Sequence, residues 1–163
     1  MFKAYLLTGT NIGDREENLQ KARVLITEHC GKLDKFSAIY ETAAWGMTDQ
    51  SSFLNQALLL ETSMKAPDLM KELLNIELLM GRERKEKYGP RLIDIDILLF
   101  EEEIREDEFL RLPHPELVNR RFALVPLADI APDAFHPVLK KTVSQLLEEC
   151  RDTLGVKKYN SSL

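Results

Sequence analysis

Apolar runs broken by short polar stretches divide the chain, and the period of each run names its element. Residues 3–8 are largely apolar and predict a first strand. Asp14, with Glu17 three residues on, has the form of a helix-opening capping box. A helix is expected from there to about Cys30, where Gly31 stops it. Residues 33–40 predict a second strand and residues 53–62 a third, with Phe53 and Asn55 on one face. Residues 42–52, which hold Gly46 and several small or polar side chains, form a loop between them. Pro67 suits the first turn of a second helix, which runs to about Met80. Residues 92–100 are dense in Ile and Leu without Gly or Pro, and predict a buried fourth strand. The acidic run of residues 101–103 suits a solvated hairpin tip, and a short fifth strand is expected before Pro113. Residues 122–130 predict a third helix despite Pro126, and residues 142–150 a fourth. The tail from Lys157 is expected to fray. The order β-α-β-β-α-β is that of the ferredoxin-like fold: an α+β antiparallel sheet with helices packed on it, here followed by additional C-terminal helices.

The fourth strand breaks its apolar pattern twice. Asp94 and Asp96 are two apart, so they share a face, about 7 Å apart at Cα. Ile93, Ile95, Ile97 and Leu99 are expected to face the other way, into a core. Two bare carboxylates on a central strand cost several kcal/mol unless a cation or donors satisfy them. Magnesium takes one or two carboxylates together with phosphate oxygens, which makes this strand a candidate metal platform. A structural network with nearby arginines is the competing reading. The preceding residues 82–91, which follow Gly81 and include the Gly89-Pro90 pair, carry five basic and two acidic side chains. They read as a cationic loop suited to phosphate oxygens.

Other polar residues have two readings each. Glu77 lies beside or within the apolar stripe of Met70, Leu73, Leu74 and Met80. It either reaches water from the rim or pairs with an arginine of the next loop, such as Arg91. His114 is fixed between Pro113 and Pro115, whereas His29 and His136 read as structural. Phe53 and Phe122 are core aromatics or walls for a flat heterocycle. Asn55 offers a donor and an acceptor on one amide.

At 163 residues the chain is expected to be one domain, residues 1–163. Its hydrophobic content of 44% supports a core, and its charged content of 30% argues against a membrane protein. A net charge of −5 disfavours a nucleic-acid binder, so an anionic substrate needs the local basic loop. The apolar start is too short for a signal peptide. Cys30 and Cys150 fit incidental intracellular thiols better than a disulfide.

Four segments carry a resemblance to a known family, and they occur in its order. They are Gly9-Thr10-Asn11-Ile12-Gly13-Asp14-Arg15, Tyr40-Glu41-Thr42 with Phe53-Leu54-Asn55, the stretch from Gly81 to Leu98, and Leu112-Pro113-His114-Pro115 with Arg120 and Phe122. Together they resemble the 6-hydroxymethyl-7,8-dihydropterin pyrophosphokinase family of folate biosynthesis, over residues 3 to about 137. The resemblance implies a cytoplasmic, monomeric enzyme that moves pyrophosphate from ATP to the pterin and releases AMP. It implies two Mg²⁺ ions on Asp94 and Asp96. It implies ATP contacts from Glu77, Arg82, Arg84, Tyr88, Arg91, Ile97, His114 and Arg120. Thr42, Ala43, Trp45, Phe53, Asn55 and Phe122 are implied as the pterin pocket, and Arg82, Arg91, Asp94 and Asp96 as the catalytic set. No nucleic acid or membrane partner is implied. Ala43 and Ala44 depart from the family's frequent prolines, Tyr88 stands where some members have tryptophan, and Leu74 replaces a polar residue of some members. Two other functions use the same features: a two-metal phosphohydrolase, and a non-catalytic ferredoxin-like binding module.

Overall fold

A computed structural model describes residues 1–43, 51–81 and 92–160. The strands and helices follow in chain order as β1 (Phe2–Thr10), α1 (Arg15–His29), β2 (Lys32–Phe36), β3 (Tyr40–Thr42), β4 (Phe53–Thr62), α2 (Ala66–Leu79) and β5 (Asp94–Phe100). Then come β6 (Arg105–Glu106), β7 (Arg111–Leu112), α3 (Arg121–Ile130), β8 (Phe135–His136), β9 (Lys141–Thr142), α4 (Val143–Glu149) and β10 (Val156–Lys158). The main sheet runs β10-β3-β4-β1-β5, with β2 also on β4, and every pairing is antiparallel. Strand order β5-β1-β4-β2/β3 is the ferredoxin-like arrangement expected from the sequence.

Each face of the sheet is buried by a different pair of helices. Leu6, Leu54, Leu58 and Leu60 pack with Leu19, Ala22 and Ile26 of α1 and with Leu69, Leu73 and Ile76 of α2. Leu7 and Leu99 on the other face pack under Ala123, Leu124 and Leu127 of α3 and Val143 and Leu146 of α4. A β4 strand buried on both sides explains its near-continuous apolar run.

Five details differ from the sequence reading, each for a local reason. The register of β1 with β5 shifts so that Leu98 is skipped. This bulge turns Leu98 and Leu99 to the α3/α4 face and Phe100 to the α1/α2 face, so Leu99 does not follow Ile93, Ile95 and Ile97. The expected second strand is broken at Ser37, whose Oγ accepts from Ala57 N at 2.9 Å. The tail does not fray at Lys157, because β10 pairs with β3 and Tyr159 N donates to Ile39 O at 2.9 Å. Residues 101–103 form a turn in which Glu101 N bonds Lys3 O, and the hairpin is instead β6–β7. β1 runs past the expected end at Thr8 and takes in Gly9 and Thr10.

The first capping box has one visible half: Asp14 accepts from Glu17 N at 3.1 Å, while the Glu17 carboxylate lies 3.4 Å from Lys21. A complete box opens α4, where Thr142 and Gln145 exchange both bonds. Cys30 and Cys150 are both free thiols.

Candidate active site

One cross-strand row organises the site. Asp94 of β5 lies opposite Gly9 of β1, Gly9 opposite Asn55 of β4, and Asn55 opposite Tyr40 of β3. Directly opposed residues share a face, so all four belong to the face that α3 and α4 cover only in part. Adjacent rows add Asp96 beyond Leu7 on one side, and the Phe53–Thr42 pair on the other. Strand spacing puts Asp94 and Asn55 about 10 Å apart across the sheet.

Gly9 leaves the space between them. A Cβ there would lie 2.5 Å from Asn55 Nδ2. The amide fills that space, donating from Nδ2 to Thr8 O at 3.3 Å. Asn55 Oδ1 and Thr42 Oγ1 are the two buried side-chain atoms that lack a hydrogen-bond partner among the described residues. Buried polar atoms are nearly always satisfied, so two neighbouring orphans mark a place where a ligand supplies the missing partners. Phe53 beside them is half-buried, as is Phe122 in the first turn of α3. The Arg120 guanidinium stands 5.6 Å from the centre of the Phe122 ring.

Asp94 and Asp96 are both partly exposed on this face, as the strand period required. His114, from the β7–α3 connection, lies within reach of the Asp96 charge. The bulged Leu98 carbonyl accepts from His114 N at 3.0 Å and so fixes that connection to β5. His114 Nδ1 accepts from Glu116 N at 3.1 Å, which leaves Nε2 to carry the proton of the neutral ring. Burial lowers the His114 pKa from the ordinary imidazole value; the Asp96 charge opposes this and the Arg120 charge reinforces it. His114, Asp96 and Arg120 are therefore one electrostatic group, although they lie far apart in sequence.

Glu77 does not reach water from the rim, and the loop arginines of its other expected position lie outside the described residues. It is 4% exposed, and its Oε2 accepts from Ile95 N at 2.7 Å. β5 is an edge of the sheet, so its outward N–H groups need partners, and a carboxylate from α2 supplies one. The Ile97 side chain is likewise buried in the α1/α2 core. Ala43 ends the described segment after β3 and is exposed. Trp45, Arg82, Arg84, Tyr88 and Arg91 lie outside the described residues, as do Ala44 and the rest of the cationic loop. His136 is structural as expected, its Nδ1 accepting from Leu139 N at 3.1 Å.

Sequence reasoning missed Gly9 and Tyr40. From the sequence Gly9 enters only as the first residue of a segment that carries the resemblance, with no place in the site. The signal was in the pairing: β1 and β4 placed antiparallel bring Gly9 against Asn55. Tyr40 is held by Asp129 of α3, whose Oδ2 accepts from Tyr40 Oη at 3.1 Å and Ala38 N at 3.0 Å.

Fold and site define an α+β domain whose open sheet face carries a carboxylate pair beside a half-satisfied polar pocket with aromatic sides. The family model for 7,8-dihydro-6-hydroxymethylpterin-pyrophosphokinase matches residues 5–132, and the chain belongs to that family. A 2-amino-4-hydroxy-6-hydroxymethyldihydropteridine pyrophosphokinase of Aquifex aeolicus is 38% identical over 149 residues, which are 91% of this chain and 92% of the relative. The protein of the same name from Bacillus subtilis is 44% identical over 128 residues, 78% of this chain and 77% of the relative. A solved chain of Plasmodium falciparum HPPK-DHPS superposes with a TM-score of 0.70 at 19% identity. It covers 91% of this chain but only 43% of its own length is matched, and the likeness concerns the fold.

Proposed function

We infer that this chain is an ATP-dependent pterin pyrophosphokinase of folate biosynthesis. The hydroxymethyl oxygen of 6-hydroxymethyl-7,8-dihydropterin attacks the β-phosphorus of ATP, the pyrophosphoryl group moves to the pterin, and AMP leaves. The single observation that carries this reading is the pair of orphaned atoms, Asn55 Oδ1 and Thr42 Oγ1, set across Gly9 from Asp94. A pterin edge presents both donors and acceptors, so it satisfies an amide oxygen and a hydroxyl together. Phe53 and Phe122 supply faces on which its flat ring system stacks.

The donor set fits magnesium. Asp94 and Asp96 offer hard oxygen atoms on one face. Among the described residues no group of three or more His, Cys, Asp or Glu side chains could hold a metal ion. Two carboxylates suit a cation which completes its shell with phosphate oxygens and water. When bound, Mg²⁺ would supply charge neutralisation at the phosphates.

The protein's own groups do the positioning. Asn55 and Thr42 orient the pterin so that its hydroxymethyl arm points across β1 toward Asp94. His114 Nε2–H and the Arg120 guanidinium donate to triphosphate oxygens. Glu77 holds the start of β5, and with it the carboxylate pair, in register. Arg82, Arg84 and Arg91 are proposed to close on the phosphates and stabilise the transition state. Tyr88, Trp45 and Ala43 are proposed as further contacts to ATP and pterin.

Mass detection tests the reading directly. Incubation with ATP, Mg²⁺ and the hydroxymethyl pterin is expected to give pterin diphosphate and AMP in equal amounts. Release of ADP or inorganic phosphate without a pterin product would favour the phosphohydrolase. In the same assay Asp94→Asn and Asp96→Asn are each expected to lose turnover by several powers of ten with an unchanged melting temperature. Near wild-type activity in either variant would remove that carboxylate from the site.

A further inference from the structure

Behind the polar pocket, on the opposite side of the sheet, lies a compact ionic cluster that the reaction itself does not use. Arg15 is the first residue of α1, and its Nη1 reaches three acceptors. These are Ser52 O at 2.9 Å, Ser52 Oγ at 3.1 Å and Glu41 Oε2 at 3.3 Å. Ser52 Oγ in turn donates to Glu41 Oε2 at 2.6 Å. Glu41 and Leu54 are cross-strand partners, and so are Thr42 and Phe53. The side chains of Glu41 and Thr42, being adjacent on β3, point to opposite faces. The cluster therefore grips from one face the two strand ends whose next residues, Thr42 and Phe53, line the pocket on the other.

Two further contacts converge there. Asn11 Nδ2 donates to Ser51 O at 3.2 Å. The Tyr159 ring lies 5.6 Å from the Arg15 guanidinium carbon. Arg15 and Glu41 side chains are each 23% exposed, so the pair is sheltered from full solvent screening. Hydrogen bonding from Ser52, then from Arg15, holds the Glu41 carboxyl below its ordinary pKa. β3 is only three residues long and needs such an external tie to keep Thr42 and Phe53 in place.

We propose that Arg15, acting through Glu41 and Ser52, is a positioning residue for the pterin pocket. It holds the Thr42–Phe53 pair in its binding geometry before the ligand arrives. Binding then avoids the entropy of ordering that pair, which would otherwise be subtracted from affinity. The role deepens the pterin reading above and rests on it. Arg15 lies on the face of the sheet away from the pocket, so its loss should separate the two ligands.

Calorimetry provides the test, with wild type, Arg15→Ala, Glu41→Gln and the double variant titrated separately with hydroxymethyl pterin and with a Mg-ATP analogue. Glu41→Gln keeps the shape of the side chain and guards against a folding defect. Both single variants are expected to weaken pterin binding about tenfold and to leave nucleotide binding within about twofold. The double variant is expected to lose no more than the worse single, because the two act as one unit. Unchanged pterin affinity in both singles would overturn the proposal, as would equal losses for both ligands or losses that multiply in the double variant. If wild type itself binds no pterin, the functional reading fails. If wild type binds and the variants bind equally well, only the clamp fails.

Discussion

Gly9 shows how one missing side chain shapes a site. Any Cβ at this position would meet the Asn55 amide at 2.5 Å, within a sheet whose strands cannot move apart without breaking the ladder. Gly9→Ala is therefore expected to push the amide off Thr8 O and misplace its Oδ1. Mispairing one buried polar group costs about 1–3 kcal/mol, or roughly one to two powers of ten in Kd for the pterin. Nucleotide affinity should stay within about twofold, since the phosphate side of the row is untouched. Combining Gly9→Ala with Asn55→Ala is the check: in a background without the amide the extra methyl should cost little more. Equal pterin affinity in Gly9→Ala and wild type would show that the amide has room to move and that Gly9 is dispensable. Asn55→Ala alone should fall in the same class, as should Phe122→Ala through loss of a stacking wall.

At the scale of elements, edges and joints decide what was legible in the sequence. The ferredoxin-like order, both long helices and the shared face of Asp94 and Asp96 follow from period alone, because a buried strand or stripe writes its period directly into the residue pattern. The bulge at Leu98 does not, because it inserts one residue without changing composition, and it moved Leu99 to the other core. Nor does β10, whose Val156-Lys157-Lys158 reads as a polar tail until β3 is found needing an outer partner. Within the site, Asn55 could be named from its amide and Thr42 through the resemblance, but their unpaired oxygens, the role of Gly9 and the Arg15 cluster exist only once strands are in register. Glu77 is the clearest case of tertiary context deciding against one of two readings, that of a rim residue reaching water. Its carboxylate satisfies the outward N–H of Ile95, so Glu77→Ala should leave that buried donor unpaired. About 1–3 kcal/mol of stability is at stake. At roughly 2–4 °C per kcal/mol for a domain of this size, the melting temperature should drop by several degrees. Glu77→Gln, which keeps an acceptor oxygen, should recover at least half of the loss; a melting curve for Glu77→Ala that overlays wild type would show the β5 edge to be held by other groups.

The whole molecule ties both ends of the chain to the same site. β1 places Gly9 in the centre of the sheet, and β10 closes the outer side of β3, with Val156 opposite Thr42 and Lys158 opposite Tyr40. Its neighbour Tyr159 bonds Ile39 O and lies over Arg15. Stability should also depend on pH through a distant core residue. Burial, aided by the Glu72 charge, pushes the Cys30 thiol up to about 12. A raised thiol pKa favours folding fully below the unfolded value of about 8.5 and loses that advantage as pH rises toward 12. Urea unfolding at pH 7 and pH 10 should show the decline in wild type and a smaller one in Cys30→Ala. The sharper test of how far the fold supports the site is to remove residues 156–163. A chain ending at Gly155 keeps Asp152, whose carboxylate accepts from Arg121 N and Leu154 N, so α3 should stay docked. It loses the β10 ladder, the Ile39 bond and the ring over Arg15. With each hydrogen bond worth about 1 kcal/mol net and the ring contact about 0.5–1 kcal/mol, a few kcal/mol is at stake. At roughly 2–4 °C per kcal/mol the melting temperature should fall by about 5–10 °C. Pterin affinity should fall with it, because Thr42 sits on the strand that loses its neighbour, while Mg-ATP-analogue affinity, which depends on β5, His114 and Arg120, should hold. A truncated chain that melts and binds pterin like the full one would mean that β3 is fixed by β4 and the Arg15 cluster alone.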